Sequence, residues 1–169
     1  MARQFSLPEI LAPVSLLTPQ ADAAGRTSRY VNMAKVDKAW IICTVNQGNA
    51  AQVTFTPLQA QNVGGGGSKA INATLIWSNL NEGANDQFNG LNTLPVGSQI
   101  PRAANYQTDV GLQDKMVIFE ISPQDQLDQV NGFTFVAIQT SASNAANITQ
   151  AAILPLHRFQ QANPPTILS

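Results

Sequence analysis

The chain has 169 residues, of which 44% are hydrophobic and only 11% charged. This is a globular composition, long enough for one domain with a real core. Nine basic residues stand against ten acidic ones, for a net charge of -1. That balance argues against nucleic acid as the main partner, because binding phosphates needs a clustered excess of Lys and Arg. A surface so poor in charge suits a protein that is largely buried against neighbours.

The single cysteine, Cys43, excludes an internal disulfide and a multi-cysteine zinc site. It lies in an apolar run and is predicted to be a small buried side chain. No stretch approaches the roughly 20 apolar residues of a membrane span. The first residues lack the charged and apolar regions of a signal peptide. We therefore expect synthesis in a cytoplasm and no membrane partner.

Residues 1–27 are predicted to form an extended arm. Pro8, Pro13 and Pro19 recur at short intervals, which prevents a long helix. Apolar residues stand between these prolines, so the arm must lie on its own domain or on the surface of a partner. The small polar segment Gln20–Arg26 indicates a hinge into the fold.

Residues 28–159 carry the pattern of a series of strands. The predicted strands are Ser28–Ala34, Lys38–Val45, Gln52–Gln61, Ile71–Trp77, Lys115–Ile121, Phe133–Thr140 and Ile148–Leu156. Lys38–Val45 is apolar almost throughout and predicts a strand buried on both faces. Pro57 cannot donate a ladder hydrogen bond, so its strand is expected at an edge or bulged there. About seven or eight strands without a long amphipathic helix predict an all-β antiparallel β-sandwich, with a jelly roll as the first topology. Periodicity alone does not separate a jelly roll from an immunoglobulin-like arrangement.

Two segments fall outside this pattern of strands. Ser78–Gln113 is rich in Asn, Gly, Gln and Asp and is predicted to be a long functional loop. Residues 160–169 form a Pro-rich tail after the sandwich. The predicted organisation is therefore an arm (1–27), a sandwich domain (28–159) and a tail (160–169).

The titratable residues form no constellation that predicts catalysis, a metal site or a cofactor. The close carboxylate pairs lie in loop contexts, where solvated turns are expected; they are Glu82 with Asp86, Asp109 with Asp114, and Asp125 with Asp128. The only histidine, His157, has no second histidine or cysteine near it in sequence. Trp40 and Trp77 fall within predicted strands and are expected in the core. We therefore expect a protein that is not an enzyme.

Several segments resemble small head structural proteins of tailed bacteriophages, the decoration or cement proteins. In the segment Ile153–Pro165 an apolar strand runs into Arg158-Phe159 and then into Ala162-Asn163-Pro164-Pro165, which resembles the ending of those proteins. The strand Lys38–Val45 with its Gly/Asn turn, the Thr-containing strand Gln52–Gln61 and the strand Val117–Ile121 are also similar. The resemblance extends from about Tyr30 to the end of the chain.

The resemblance implies a virion protein without enzymatic activity, made in the host cytoplasm and held on the capsid surface. It would bridge subunits of the major capsid protein and self-associate as a trimer or dimer, without direct contact to nucleic acid. Many weak contacts repeated over a shell stabilise it through effective concentration. Apolar residues of the arm and tail are the expected contacts: Leu7, Ile10, Leu11, Val14, Leu16, Leu17, Pro164, Pro165, Ile167 and Leu168.

Two other functions remain open from the sequence. The first is a tail or head–tail junction component that forms a ring. The second is a carbohydrate-binding sandwich that uses Trp77 or Tyr106 as a stacking platform. Exposed aromatic side chains on one face would favour the second, and burial of Trp77 would count against it.

Overall fold

The computed structural model describes residues 7–72, 74–84, 100–159 and 166–168, which are mainly β-strands and connecting turns. The strands are β1 (Val14–Ala21), β2 (Arg26–Thr27), β3 (Val31–Asn32), β4 (Val36–Gln47), β5 (Thr54–Ala60), β6 (Lys69–Ala70), β7 (Thr74–Asn79), β8 (Ile100–Ala103), β9 (Tyr106–Gln107), β10 (Asp114–Ile121), β11 (Phe135–Thr140) and β12 (Asn147–His157). The helices are α1 (Leu7–Ile10) and α2 (Pro123–Gln126), with a 3₁₀ turn at Gln129–Asn131.

The strands form two antiparallel sheets. Sheet A has the order β1-β12-β4-β10-β7-β8, and sheet B has the order β2-β11-β5-β6, with β3 beside β11 and β9 beside β5. Along the chain, β1, β4, β10 and β12 belong to sheet A, and the strands that separate them in sequence include β2, β5, β9 and β11 of sheet B. In each sheet an early strand pairs with a late one, β1 with β12 and β2 with β11, which is the strand order of a jelly roll. It confirms the predicted antiparallel sandwich.

The core lies between the inner faces of the two sheets. On β4 the inward residues Ala39, Ile41, Cys43 and Val45 are buried, and they alternate with residues that keep some exposure. Cys43 has no exposed surface, and burial raises the pKa of its thiol well above the ordinary value. The prediction of Cys43 as a buried side chain is therefore confirmed.

The prediction that Lys38–Val45 is buried on both faces is wrong in one respect. Trp40 and Ile42 point away from the core and stay partly exposed. The continuous apolar run arises because both faces of β4 carry large apolar residues, although only one face meets sheet B. A two-residue period cannot separate a doubly buried strand from one with an apolar outer face.

The second half of the predicted arm belongs to the fold. β1 pairs with β12 from Val14 opposite Ile153 to Ala21 opposite Ile148. Leu16 and Leu17 are buried in the core of their own domain. An extended apolar segment with prolines is also the pattern of an edge strand, where Pro is tolerated. Among the described residues of the predicted arm, 7–13 precede β1 and lie outside the sheet.

The predicted tail also returns to the domain. Ile167 is buried in the core, and its carbonyl oxygen accepts a hydrogen bond of 2.8 Å from the main-chain N–H of Asn32. Leu168 is exposed. Pro164 and Pro165 lie outside the described residues.

Two further predictions concern Pro57 and the loop Ser78–Gln113. Pro57 lies between the part of β5 that pairs with β9, through Phe55, and the part that pairs with β6, through Leu58. The prediction of an edge or a bulge is wrong, because β5 pairs on its other side with β11 in an unbroken register that places Pro57 opposite Ile138. Proline is tolerated there because it lies between the stretches of β5 that pair with β9 and with β6. Within the predicted loop Ser78–Gln113, β8 and β9 add short strands to sheets A and B, and residues 85–99 lie outside the described ranges.

Candidate partner-binding surfaces

The outward residues of the four adjoining strands β12, β4, β10 and β7 form one apolar surface, which we name the outer face of sheet A. It consists of Ala152 and Leu154 on β12, Lys38, Trp40, Ile42 and Thr44 on β4, Met116, Ile118 and Glu120 on β10, and Leu75 and Trp77 on β7; all of them keep partial exposure. An antiparallel sheet with one solvated face ordinarily alternates hydrophobic-in and polar-out. Here the outward residues are mostly apolar, which is typical of a surface that another molecule covers.

The strand register places this surface in rows across the sheet. Ile42 lies between Ala152 and Ile118, and Ile118 lies beside Trp77, so the central row is apolar throughout. In the next row Trp40 lies between Leu154 and Glu120. The two tryptophans of the chain therefore lie on the same face, on opposite sides of β10. This surface was missed from the sequence, where both tryptophans were expected in the core.

The charges on the outer face of sheet A compensate each other. The Lys38 ammonium forms an ion pair with Glu120 and lies 5.5 Å from the centre of the Trp40 ring. The Trp40 indole N–H donates to the second oxygen of Glu120 at 3.3 Å. The face therefore carries no net charge from this pair, and a partner can cover it without supplying a counter-ion.

Both chain ends bring apolar side chains to one end of the sandwich, which we name the terminal end. Leu7 is 41% exposed and leads towards the start of β1. Phe159 is 74% exposed and follows the end of β12, while Leu168 is 46% exposed and adjoins the Ile167 contact with Asn32. The end of β12 pairs with the start of β4, so the topology collects these three residues there.

The predicted contact residues divide into three groups. Leu7 and Leu168 are exposed, and Ile10, Leu11 and Val14 keep partial exposure, so a partner can touch them. Leu16, Leu17 and Ile167 are buried in the core and are not available to a partner. Pro164 and Pro165 are outside the described ranges.

Arg26 fastens β1 to the rest of the molecule. Its guanidinium donates to the carbonyl of Thr18 on β1 at 3.0 Å and to the carbonyl of Thr149 on β12 at 2.7 Å, and its main-chain N–H donates to the Thr140 hydroxyl on β11 at 2.9 Å. Beside it, Asp22 is buried, and burial raises the pKa of its carboxyl, against the hydrogen bond from Thr140 and the charge of Arg26. This cluster joins the two sheets and is structural.

A second buried charge is also satisfied internally. Lys115 has no exposed surface, and its ammonium donates to Gln47 Oε1 at 2.9 Å and to Asp109 Oδ1 at 2.5 Å. Burial would raise the pKa of Asp109, but hydrogen bonds from Lys115 and from the Gly111 N–H outweigh it and lower the pKa. These hydrogen bonds occupy the donors of the Lys115 ammonium. Its side chain therefore links β10 to β4 and to the 108–113 segment.

No group of three or more His, Cys, Asp or Glu residues is placed to hold a metal ion among the described residues. A groove of about 390 Å³ lies over sheet B, lined mainly by polar groups such as Thr27, Thr54 and Gln139. Its one charged residue, Arg26, already donates to five acceptors. The described helices include none long and apolar enough to cross a membrane.

Neither protein-family models nor curated protein sequences match this chain. Among solved structures, the chain is similar to the crystal structure of the SPBc2 prophage-derived protein YomS, with a TM-score of 0.45 and 7% sequence identity. The alignment covers 91% of this chain and 99% of that protein. Similarity at this level carries no argument about function.

Proposed function

We propose that the protein is a non-enzymatic structural component of a phage particle, which binds the outer capsid surface and bridges subunits of the major capsid protein. The observation that carries this proposal is the outer face of sheet A. The residues at the centre of this face are apolar or aromatic, and they are Trp40, Ile42, Ile118 and Trp77. Such residues are typical of the centre of a protein–protein interface. The resemblance to decoration proteins supplies the identity of the assembly.

The terminal end supplies a second contact surface, distinct from the outer face of sheet A. Leu7, Phe159 and Leu168 are exposed apolar residues from both ends of the chain. Short terminal segments add contact area to a neighbour without enlarging the domain core. Two separate surfaces on one subunit are what a bridging protein needs, because a single surface allows only one contact per copy.

A carbohydrate-binding module is the rival that the partial exposure of Trp77 keeps open. A sugar platform needs polar side chains around the aromatic ring to receive the hydroxyl groups. The central row next to Trp77 holds Ile118, Ile42 and Ala152 instead. Tyr106, the other expected platform, packs against the core and donates its hydroxyl to Ser78 at 3.2 Å. These surroundings favour a protein partner over a glycan.

The copy number in native particles tests the proposal. Purified particles from the phage that encodes the chain are analysed by quantitative mass spectrometry, with the major capsid protein as the internal standard. A decoration role requires copies in proportion to the capsid subunits. A single ring of copies would instead assign the protein to the tail or the head–tail junction, and absence from purified particles would overturn the proposal.

A further inference from the structure

A polar groove, which we name the sheet B groove, lies on the outer face of sheet B, on the opposite side of the sandwich from the outer face of sheet A. Its volume is about 390 Å³, and its lining residues are 24–27, 54, 56 and 139–142. The strand register places Gln139 of β11 between Thr27 of β2 and Thr56 of β5. Gln139 points outward, because the preceding Ile138 is buried in the core. The groove therefore rests on a row of three side chains held by paired strands.

The sheet B groove presents neutral hydrogen-bonding groups that the chain itself leaves open. Thr54 and Thr56 are partly exposed, and their hydroxyl groups have no hydrogen-bond partner within the part of the chain that the structure describes. The exposed Gln139 side chain donates to the Thr27 hydroxyl at 3.2 Å, and in the described ranges its carbonyl oxygen accepts no hydrogen bond. A hydroxyl group both donates and accepts. A ligand in this groove can therefore form several neutral hydrogen bonds at once.

The groove is unsuited to an anion. Among the described residues that line it, Arg26 is the one charged side chain. Its guanidinium donates five hydrogen bonds to oxygen atoms of the protein, and the fully buried Asp22 lies 3.7 Å from its Nε. Phosphate and carboxylate groups are held by charge-assisted hydrogen bonds from cations with open donors. The groove therefore selects an uncharged ligand.

The lining also disfavours an apolar group or a peptide. Protein anchors are aromatic or aliphatic side chains that fill apolar pockets, whereas hydroxyl and amide groups line most of this groove. Extended peptides bind through the open main-chain groups of an edge strand. The floor of the groove is β11, which pairs with β2 on one side and with β5 on the other, so its main-chain groups are occupied. An uncharged molecule dense in hydroxyl groups, a neutral saccharide, fits these conditions.

An aromatic side chain lies on the same face of sheet B. Tyr30 is partly exposed and precedes Val31, which is buried in the core, so the tyrosine points outward. Its hydroxyl shares a hydrogen bond of 2.6 Å with Ser68, and a Cβ on Gly65 would lie 2.7 Å from its ring. The ring is therefore held in place. Aromatic rings beside a few polar groups are the usual composition of a small-molecule site.

The pairing with β11 relates this ring to the groove. Val31 lies opposite Val136, and Val136 is three residues from Gln139, about 10 Å along the strand. A saccharide of two or more units that starts in the sheet B groove extends along β11 towards Tyr30.

We propose that the sheet B groove binds a neutral saccharide, with Thr54, Thr56 and Gln139 bonded to its hydroxyl groups. The inference goes beyond the proposed function, because it concerns the other face of the sandwich and does not depend on what covers the outer face of sheet A. Each hydrogen bond replaces one to water, so its net contribution is small. Binding by one copy is therefore weak, and many copies on one particle would strengthen it through avidity.

The test applies the full chain to an array of neutral hexose and N-acetylhexosamine oligosaccharides, with sialylated and sulfated oligosaccharides beside them. We expect binding to neutral oligosaccharides without a preference for the acidic ones. The best neutral oligosaccharide is then titrated into isotope-labelled protein, and the NMR signals of Thr54, Thr56 and Gln139 should shift. Absence of neutral binding on the array overturns the proposal. Shifts confined to Trp40 and Trp77 also overturn it, because they place the sugar on sheet A.

Variants locate the site. Thr56→Val removes one hydroxyl group and keeps a residue that is favourable in strands, and Gln139→Ala removes the amide. Each should weaken binding by about five-fold or more, as expected for the loss of a neutral hydrogen bond. Thr18→Val is the matched control, because Thr18 is exposed on β1 and lies outside the groove lining, and it should bind like the wild type. Thermal melting verifies that each variant is folded.

The variant data also have an outcome that contradicts the inference. If folded Thr56→Val and Gln139→Ala both bind the oligosaccharide as tightly as the wild type, the sheet B groove is not the site. The copy number in native particles is a separate measurement, so the failure of this inference leaves the proposed function as it stands.

Discussion

At the scale of single residues, Lys115 and His157 are buried titratable side chains whose surroundings the sequence pattern did not predict. Lys115 occupies an inward position of β10, in line with the buried Val117 and Phe119. The strand period places it correctly in the core, but its counter-charge, Asp109, comes from a separate segment. Such a pairing depends on how the chain folds back, and spacing along the sequence does not encode it.

His157 is expected to make the free energy of unfolding depend on pH. It is 8% exposed, its Nδ1 has no hydrogen-bond partner in the described part of the chain, and burial lowers its pKa, against the hydrogen bond with the Lys35 backbone. In the unfolded chain the pKa is about 6.5. Because the unfolded state then binds the proton more readily, the stabilising contribution is present above about pH 6.5 and is lost as the pH falls below it.

His157→Gln should therefore flatten this part of the stability profile. His157 is the only histidine, so the slope of the unfolding free energy between about pH 7 and pH 5.5 has no other histidine to cause it. Urea unfolding of wild type and variant at several pH values measures the difference. Equal slopes in the two proteins would show that His157 does not carry the effect.

At the scale of elements, the two faces of β4 differ in burial. Its inward residues fill the core, and its outward residues Trp40 and Ile42 form the outer face of sheet A. Neighbouring positions on this strand therefore have different surroundings. The sequence predicted the strand, but its apolar run could not show which face would lie against sheet B.

Alanine substitutions at Ile41 and Ile42 should divide these roles. Ile41 is fully buried, so Ile41→Ala should cost about 2–5 kcal/mol of stability through lost burial and a cavity. Ile42→Ala should cost about 1 kcal/mol in the monomer, because the side chain is already partly in water. Urea unfolding at low protein concentration measures both. Similar losses for the two variants would contradict the assignment of the faces.

Removal of N-terminal segments should give two distinct results. Deleting residues 1–12 leaves β1 intact and should change the melting temperature little. Deleting residues 1–21 removes Leu16 and Leu17, and each buried leucine contributes about 2–5 kcal/mol. That loss is comparable with the whole stability of a domain, about 5–15 kcal/mol. Circular dichroism melting of both truncations measures the change in melting temperature. If the protein without residues 1–21 melts like the full chain, the prediction of an arm over residues 1–27 would be supported instead.

At the scale of the whole molecule, the sequence predicted the class of fold but not its surfaces. Strand periodicity, turns and composition were sufficient for an antiparallel β-sandwich, because these signals are local. The jelly-roll order depends on long-range pairing such as that of β1 with β12, which these signals do not separate from an immunoglobulin-like arrangement. The assignment of Leu16, Leu17 and Ile167 to partner contacts differed from the structure, because all three lie in the core. Apolar terminal segments look alike in sequence whether they reach a neighbour or return to their own domain, and only the strand pairing separates the two.

The outer face of sheet A is the central claim at this scale, and a cryo-EM reconstruction of the native particle tests it most directly. We expect copies of the jelly roll on the outside of the shell, with Trp40, Ile42, Ile118 and Trp77 covered by a neighbouring subunit. A map in which these four side chains face solvent, or in which the jelly roll is absent from the particle, would contradict the account.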